Sequence, residues 1–196
     1  GLGAMIGSID QVMTQGSAQS TGKDTDLMLQ GVGFFVLNNN GQQVYTRAGG
    51  FSFDSTGNLI DPATGALVQG VMADQAAGTI TWNTPPTLSN IQFKLGDNWN
   101  GVATTSLTSF SIDQSGIITG VYFDSATNAS TTHQIGQIAV ARFPNDAGLA
   151  NMGGNFFTET NNSGAADIGE PAKSGRATII PNTVEMSNVD LSQEFT

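Results

Sequence analysis

GFFVLNNNGQQVYTR, residues 33–47, consists of two apolar and aromatic runs joined by Asn40-Gly41. Asn-Gly accepts the positive φ values of a tight strand reversal, so the stretch predicts a β-hairpin in which Val44 and Thr46 alternate with Tyr45 and Arg47. The first extended run is expected to begin upstream, in DLMLQGVGFFVL (26–37). Beyond the hairpin the chain keeps reversing. Phe51 and Phe53 fall on one side of a short strand, Asp54-Ser55-Thr56-Gly57 turns, Asn58 to Ile60 is extended, and Asp61-Pro62-Ala63-Thr64-Gly65 turns again. This is the pattern of a β-meander.

Further along, IQFKL (91–95) alternates Ile91, Phe93 and Leu95, and SFSID (109–113) leads through the turn Asp113-Gln114-Ser115-Gly116 into IITGVYFD (117–124). These predict a second small β unit, edged by Pro85-Pro86 and by the polar stretch SATNASTTH (125–133). IGQIAVARF (135–143) reads as a strand and NDAGLANMGG (145–154) as a turn or a single helical turn. A helix signal comes only at the end, where Asp190-Leu191-Ser192-Gln193 has capping-box spacing. The expected fold class is all-β.

Six Lys and Arg against 16 Asp and Glu give a net charge of -10, which argues against a nucleic-acid partner, because each phosphate contact needs a cation. Charged residues make up only 11% of the chain, so Ser, Thr, Asn, Gln and Gly must cover its surface. There is no cysteine, which excludes a disulfide framework, a thiolate zinc site and a thiol nucleophile. The opening GLGAMIGSIDQVMTQG has neither a basic n-region nor a long apolar run, so neither a signal peptide nor membrane insertion is expected. Its lack of an initiator context suggests a piece of a longer protein.

Candidate chemistry is sparse. His133 is the only histidine and no G-x-S-x-G elbow occurs, so a Ser/His/Asp relay has no scaffold. Asp54-Ser55-Thr56-Gly57-Asn58 and Asp113-Gln114-Ser115-Gly116 crowd oxygen ligands, but an EF-hand needs Glu at its twelfth position, where the first has Gly65, and glycine at its sixth, whereas the second has it at the fourth. Both read as β-turns. Gly31-Val32-Gly33 starts like a dinucleotide fingerprint and then has Val36 in place of the third glycine. Asn128-Ala129-Ser130 and Asn161-Asn162-Ser163 match a glycosylation sequon, meaningful only in a eukaryotic secretory context. A carbohydrate-active domain would draw its stacking aromatics from Trp82 and Trp99, which are more often core or edge residues. No catalytic, cofactor or metal residues are expected.

Two separate blocks carry a resemblance. QGSAQSTGKDTDLMLQGVGFF (15–35), YTRAGGF (45–51) and GNL (57–59) resemble the N-terminal signature of the bacterial flagellar hook and rod proteins. AGLANMGGNFFTETNNSG (147–164), GEP (169–171) and EMSNVDLSQEF (185–195) resemble their C-terminal signature. Departures are DLML, where an alanine after the leucine is commoner, Phe157 in place of tyrosine, and PAKSGRA without the usual glycine after Pro171. The resemblance implies structural roles for Asp26, Gly31, Gly33, Phe34, Tyr45, Thr46, Arg47, Gly49, Phe51 and Gly57 in the first block. In the second it implies them for Asn155, Glu159, Thr160, Ser187, Asn188 and Asp190. Arg47 is expected to pair with an acid of its own subunit, and glycines 49, 50 and 57 to supply positive φ at a tight corner.

The resemblance further implies a discontinuous inner β domain (1–73 plus 134–196) with an inserted outer β domain (74–133), and terminal coiled-coil helices that this chain lacks. Its function would be mechanical: a homo-polymer of identical subunits forms a helical tube that acts as a flexible joint passing motor torque to the filament. Neighbouring rod and hook-filament junction proteins and an assembly cap would be partners, and export would use the flagellar type III channel. FSIDQSGIITGVYFD followed by IGQIAVARF looks more like a hook than a distal rod protein. An adhesin working as a monomer is the reading from another class.

Overall fold

Asn40 and Gly41 take φ of 54° and 89° in the computed structural model, which describes residues 15–187, and the hairpin they close is the centre of the fold. The first part of the chain forms β1 (Ala18–Ser20), β2 (Leu27–Gln30), β3 (Phe34–Asn39), β4 (Gln42–Thr46), β5 (Ser52–Phe53), β6 (Leu59–Ile60) and β7 (Leu67–Met72). Next come β8 (Ser89–Asn90), β9 (Thr105–Ile112), β10 (Ile117–Asp124) and β11 (Ala129–Ile138). The last part adds β12 (Val140–Arg142), β13 (Ala150–Asn151), β14 (Phe157–Thr158), β15 (Asp167–Gly169), β16 (Thr178–Pro181) and β17 (Thr183–Glu185). Among the described residues the only helical element is a 3-10 turn, Asp146–Gly148, so the protein is all-β as its composition and turn pattern predict.

The main sheet has 13 strands, along the path β13-β14-β4-β3-β7-β11-β10-β9, with β12 joining β3 to β15. Two small sheets join the first and last strands of the described residues: β1 pairs with β17, and β2 with β16. Strand β3 explains why its sequence is continuously apolar. Phe35 and Leu37 enter one core with Val44, Phe51, Leu59, Val68 and Ile138, while Phe34 and Val36 enter a second with Tyr45, Phe143, Leu149 and Phe157. A strand covered on both faces has no reason to alternate.

Four expectations need correction. The run 26–37 is not one strand: Gly31 and Gly33, at φ of 110° and 139°, bend the chain so that β2 leaves the hairpin and pairs with β16. A Cβ on Gly33 would sit 2.7 Å from Val140 Cγ1, so this glycine pair is a bend packed against β12. Residues 91–95 do not alternate to the end. Ile91 and Phe93 are buried, but Leu95 is 62% exposed, because Lys94 to Asp97 turns, with Asp97 accepting the Lys94 N–H at 2.8 Å. The polar stretch 125–133 is a turn only as far as Asn128, and β-branched Thr131 and Thr132 continue as β11 with His133 opposite Gly120. Finally, IGQIAVARF is two strands, since the chain changes partners at Ala139, from β7 and β10 to β3 and β15.

The turn expected in NDAGLANMGG is the 3-10 turn followed by β13. The helix start at Asp190, and with it Asn188, lies outside the described residues.

Candidate functional site: an arginine clasp between the two ends

Arg47 follows the last residue of β4 and turns back under the Gly31–Gly33 bend. Its Nη1 donates to the carbonyls of Gly31 (2.7 Å) and Gly33 (3.0 Å), and Nη2 donates to the Leu29 carbonyl (3.0 Å) and Gln15 Oε1 (3.2 Å). The positive φ of both glycines aims their carbonyls at one nitrogen, which side chains with a Cβ would rarely allow. Glu185 at the end of β17 completes the set, with Oε1 3.2 Å from Nε and Oε2 3.0 Å from Nη2. The same Oε2 accepts the Gly16 N–H at 2.7 Å and the Gln15 amide.

One planar guanidinium therefore holds the β2 strand, the glycine bend, the segment before β1 and the last strand, and uses the fork geometry that suits arginine to a carboxylate. The two side chains are 11% and 12% exposed. At that burial the pair is costly to break from one side, since the remaining charge is left desolvated.

Around the clasp stand most of the first-block residues. Asp26 is buried, bridges to Gly50, and accepts the Thr183 N–H on its carbonyl at 3.1 Å. Gly49 matters for space, and its φ is not positive: a Cβ there would meet the Leu27 carbonyl at 1.9 Å, whose residue hydrogen-bonds Gly49 through the Leu27 N–H at 2.9 Å. The expectation of positive φ holds for Gly57, at 89°, and fails for Gly49 and Gly50. Phe51 packs edge-on to Phe35 at 5.1 Å, Phe34 lies 5.9 Å from Phe143 and Phe157, and Tyr45 meets Phe143 at 4.8 Å. Burial pushes the Tyr45 hydroxyl above its ordinary pKa, although it accepts a 2.7 Å bond from Gln43. Thr46, fully buried, accepts the Ala48 N–H at 3.0 Å.

The second-block residues form a separate knot. Thr160 Oγ1 donates to the Gly148 carbonyl and accepts the N–H groups of Asn162 and Ser163, both at 3.1 Å, and Glu159 accepts the Ala166 N–H at 2.6 Å. Asn155 is on an exposed loop facing Ala48 and Asp61, and Ser187 is the last described residue. Sequence reasoning missed Glu185 and Gln15 as partners of Arg47. No local signal finds Glu185, which is 138 positions away.

The other candidates take structural places. Asp54 Oδ1 accepts the N–H groups of Thr56 and Asn58, both at 2.9 Å, and Asp113 Oδ1 does the same for Ser115 and Ile117, so both loops spend their carboxylates on their own backbone. Among the described residues no group of three or more His, Asp or Glu is placed to hold a metal. His133 stacks on Trp99 at 4.2 Å and 5°, with Tyr122 5.6 Å away, and Trp82 donates Nε1–H to Gln137 at 2.8 Å.

Comparisons with known proteins bear on this architecture. The sequence model described as "Flagellar hook protein FlgE/F/G D1 domain" matches residues 28–120. The flagellar hook protein FlgE of Treponema pallidum is 41% identical over 107 residues, covering 55% of this chain and 23% of that protein. The flagellar basal-body rod protein FlgG of Bacillus subtilis is 32% identical over an alignment of 197 positions, covering all of this chain and 63% of that protein. The FlgE of Escherichia coli K12 is 34% identical over 178 residues, 83% of this chain and 43% of that protein. The chain thus spans less than two thirds of each of these three relatives. With the matched domain, the hook and rod relatives and the all-β architecture in agreement, the chain belongs to the flagellar hook and basal-body rod family of structural proteins.

Proposed function

We propose that this chain is the folded body of a flagellar hook subunit, which stacks head to tail into a helical tube working as a flexible joint between motor and filament. A heterologous contact that does not close on itself produces such a tube. The observation that carries the hook reading is the charge distribution. Of four ion pairs among the described residues, only Arg47–Glu185 buries both side chains, and the other three cluster in one patch around Asp167 and Glu170. The remaining surface, poor in charge, offers short polar groups that make weak, exchangeable contacts, as subunits that slide past one another in every revolution require.

The reading extends to domain organisation: 1–73 plus 134–196 as an inner body, 74–133 as an outer insert. Support comes from pairing. Strands of the two flanks pair with each other (β1 with β17, β2 with β16, β3 with β12), whereas β9, β10 and the first part of β11 pair among themselves. Junction proteins, an assembly cap and type III export belong to this proposal.

A distal rod subunit is the second reading, favoured by a match to the Bacillus subtilis rod protein that covers the whole of this chain. Immunogold electron microscopy of intact basal bodies, with antibody against this chain, separates the two. Label along the curved external segment is the expected result. Label confined to the straight shaft makes it a rod subunit, and basal bodies without label overturn both.

A further inference from the structure

Asn-Gly occurs twice in the chain, at 40–41 and at 100–101, and both copies sit on exposed tight turns of the same hand. Asn40 and Gly41 have φ of 54° and 89°, and Asn100 and Gly101 have 49° and 69°. Asparagine is chemically labile in such a pair, because its carboxamide carbon lies within reach of the next residue's amide nitrogen and glycine puts no side chain in the way.

What separates the two copies is the nitrogen that would attack. The Gly41 N–H donates to Asn38 Oδ1 at 2.7 Å, so its proton is held by an acceptor that would repel the nitrogen once it became an anion. Strands β3 and β4 pair right up to this turn, with Asn39 opposite Gln42. Among the described residues the Gly101 N–H makes no hydrogen bond. Its turn is closed by one isolated bridge, in which the Val102 N–H donates to the Trp99 carbonyl at 3.0 Å, and neither Trp99 nor Val102 belongs to a strand. Gln75 Oε1 accepts the Asn100 N–H at 2.7 Å, which anchors that residue and leaves the Gly101 nitrogen unguarded.

We propose that Asn100 is a site of spontaneous covalent modification, and that Asn38 protects Asn40 from the same reaction. The Gly101 nitrogen gives its proton to water and attacks Asn100 Cγ. The new N–C bond forms as the carboxamide C–N bond breaks, and the amide leaves as ammonia with a proton taken from water. Water then opens the resulting succinimide at either carbonyl, which gives aspartate or isoaspartate without any change of oxidation state. Isoaspartate adds a backbone methylene and a negative charge to the turn. Trp99, the residue before it, is buried, stacks on His133 and donates its N–H to Thr105 Oγ1 at 2.8 Å, so the change falls on the anchor of the β8–β9 loop. The subunit thereby carries a chemical record of its age, whether it belongs to a hook or to a rod.

The test keeps the full-length protein folded in mildly alkaline buffer and follows both Asn-Gly peptides by mass spectrometry, with electron-transfer fragmentation to tell isoaspartate from aspartate. Asn100 should lose its amide about fivefold or more faster than Asn40, a factor of the size one ordinary hydrogen bond supplies, with isoaspartate among the products. In denaturant the two rates should converge. Asn38→Ala should speed Asn40 about fivefold and leave Asn100 unchanged, whereas Asn38→Asp, which keeps an acceptor for the Gly41 N–H, should leave Asn40 slow. That contrast separates protection of the nitrogen from loosening of the hairpin. Asn40 converting as fast as Asn100 in the folded protein, Asn100 giving aspartate alone, the same ratio of rates in denaturant as in the folded protein, or an Asn40 rate indifferent to Asn38→Ala overturns the proposal.

Discussion

At the Arg47 end of the molecule, cohesion runs through one guanidinium that touches three chain segments and a carboxylate from β17. In the β9–β11 region it runs through rings: Trp99 on His133 at 4.2 Å, Tyr122 on Trp99 at 5.2 Å, and Phe53, Phe93 and Phe110 in mutual edge contacts of 5.0 to 5.6 Å. The first arrangement is all-or-none, because removing one partner leaves a buried charge and several carbonyls unanswered. Ring contacts leave no charge stranded when one is removed, each is worth about 1 kcal/mol, and their loss is graded. The clasp fixes a geometry, and the aromatic region tolerates adjustment.

The comparison breaks first at the clasp. Arg47→Ala should cost about 3 to 5 kcal/mol in chemical denaturation. Removing Glu185 as well should restore part of that, with a coupling energy of about 2 kcal/mol in a double-mutant cycle. Strict additivity would show that the pair is not a unit. Gly49→Ala, whose methyl has no space beside the Leu27 carbonyl, should destabilise by about 3 kcal/mol through packing alone and leave the Arg47–Glu185 coupling intact.

The aromatic region should yield smaller numbers. His133→Ala, which removes the stack on Trp99, should cost about 1 kcal/mol, and the Trp99/His133 cycle should give a coupling of similar size. Alkaline titration probes the same place. Burial, aided by the charge of Asp97, pushes the Tyr122 hydroxyl from 10 up to about 12. The folded state therefore favours the neutral phenol, and this stabilisation is complete below pH 10 and is lost as pH rises towards 12. Melting temperature should fall across that window, and Tyr122→Phe should flatten the fall. With only two tyrosines in the chain and Tyr45 also raised, ultraviolet absorbance at pH 10 should show less than half of the phenols ionised.

The mildest test concerns Asp146. Burial raises its pKa, Arg47 opposes the rise, and its Oδ1 is buried without a hydrogen-bond partner. A carboxyl with a raised folded pKa loses stability as pH climbs through that value, so Asp146→Asn should raise the melting temperature slightly at pH 7 and leave it unchanged near pH 3.

The hairpin, the meander and the all-β class were legible because Asn-Gly and Asp-containing turns are local chemistry. The two-sided burial of β3 agrees with its unbroken apolar run and became visible only when Phe35 and Leu37 were seen in one core and Phe34 and Val36 in the other. What the sequence hid was long-range or spatial. Gly49 looked like a conformational glycine and is a spatial one, a distinction that depends on where the Leu27 carbonyl passes. Leu95 continued a convincing alternation, yet the Asp97 carboxylate captures the Lys94 N–H and turns the chain away. The clasp was half visible: the expectation that Arg47 pairs within its own chain matches its bond to Glu185, while the identity of that acid depended on β1 meeting β17.

That meeting has a mechanical consequence. β1 and β17 run antiparallel with Ala18 opposite Glu185, so the two ends of the described backbone lie side by side, where the Met186 N–H bonds the Ser17 carbonyl at 2.7 Å. A force that moves both strands together loads none of their cross-strand bonds. A force that separates them opens the pair like a zipper, one rung at a time from the Ser17–Met186 bond inward, in place of the shear that would stress all rungs at once. Arg47, Glu185 and Gln15 stand at the mouth of that zipper, where a peeling crack would have to begin.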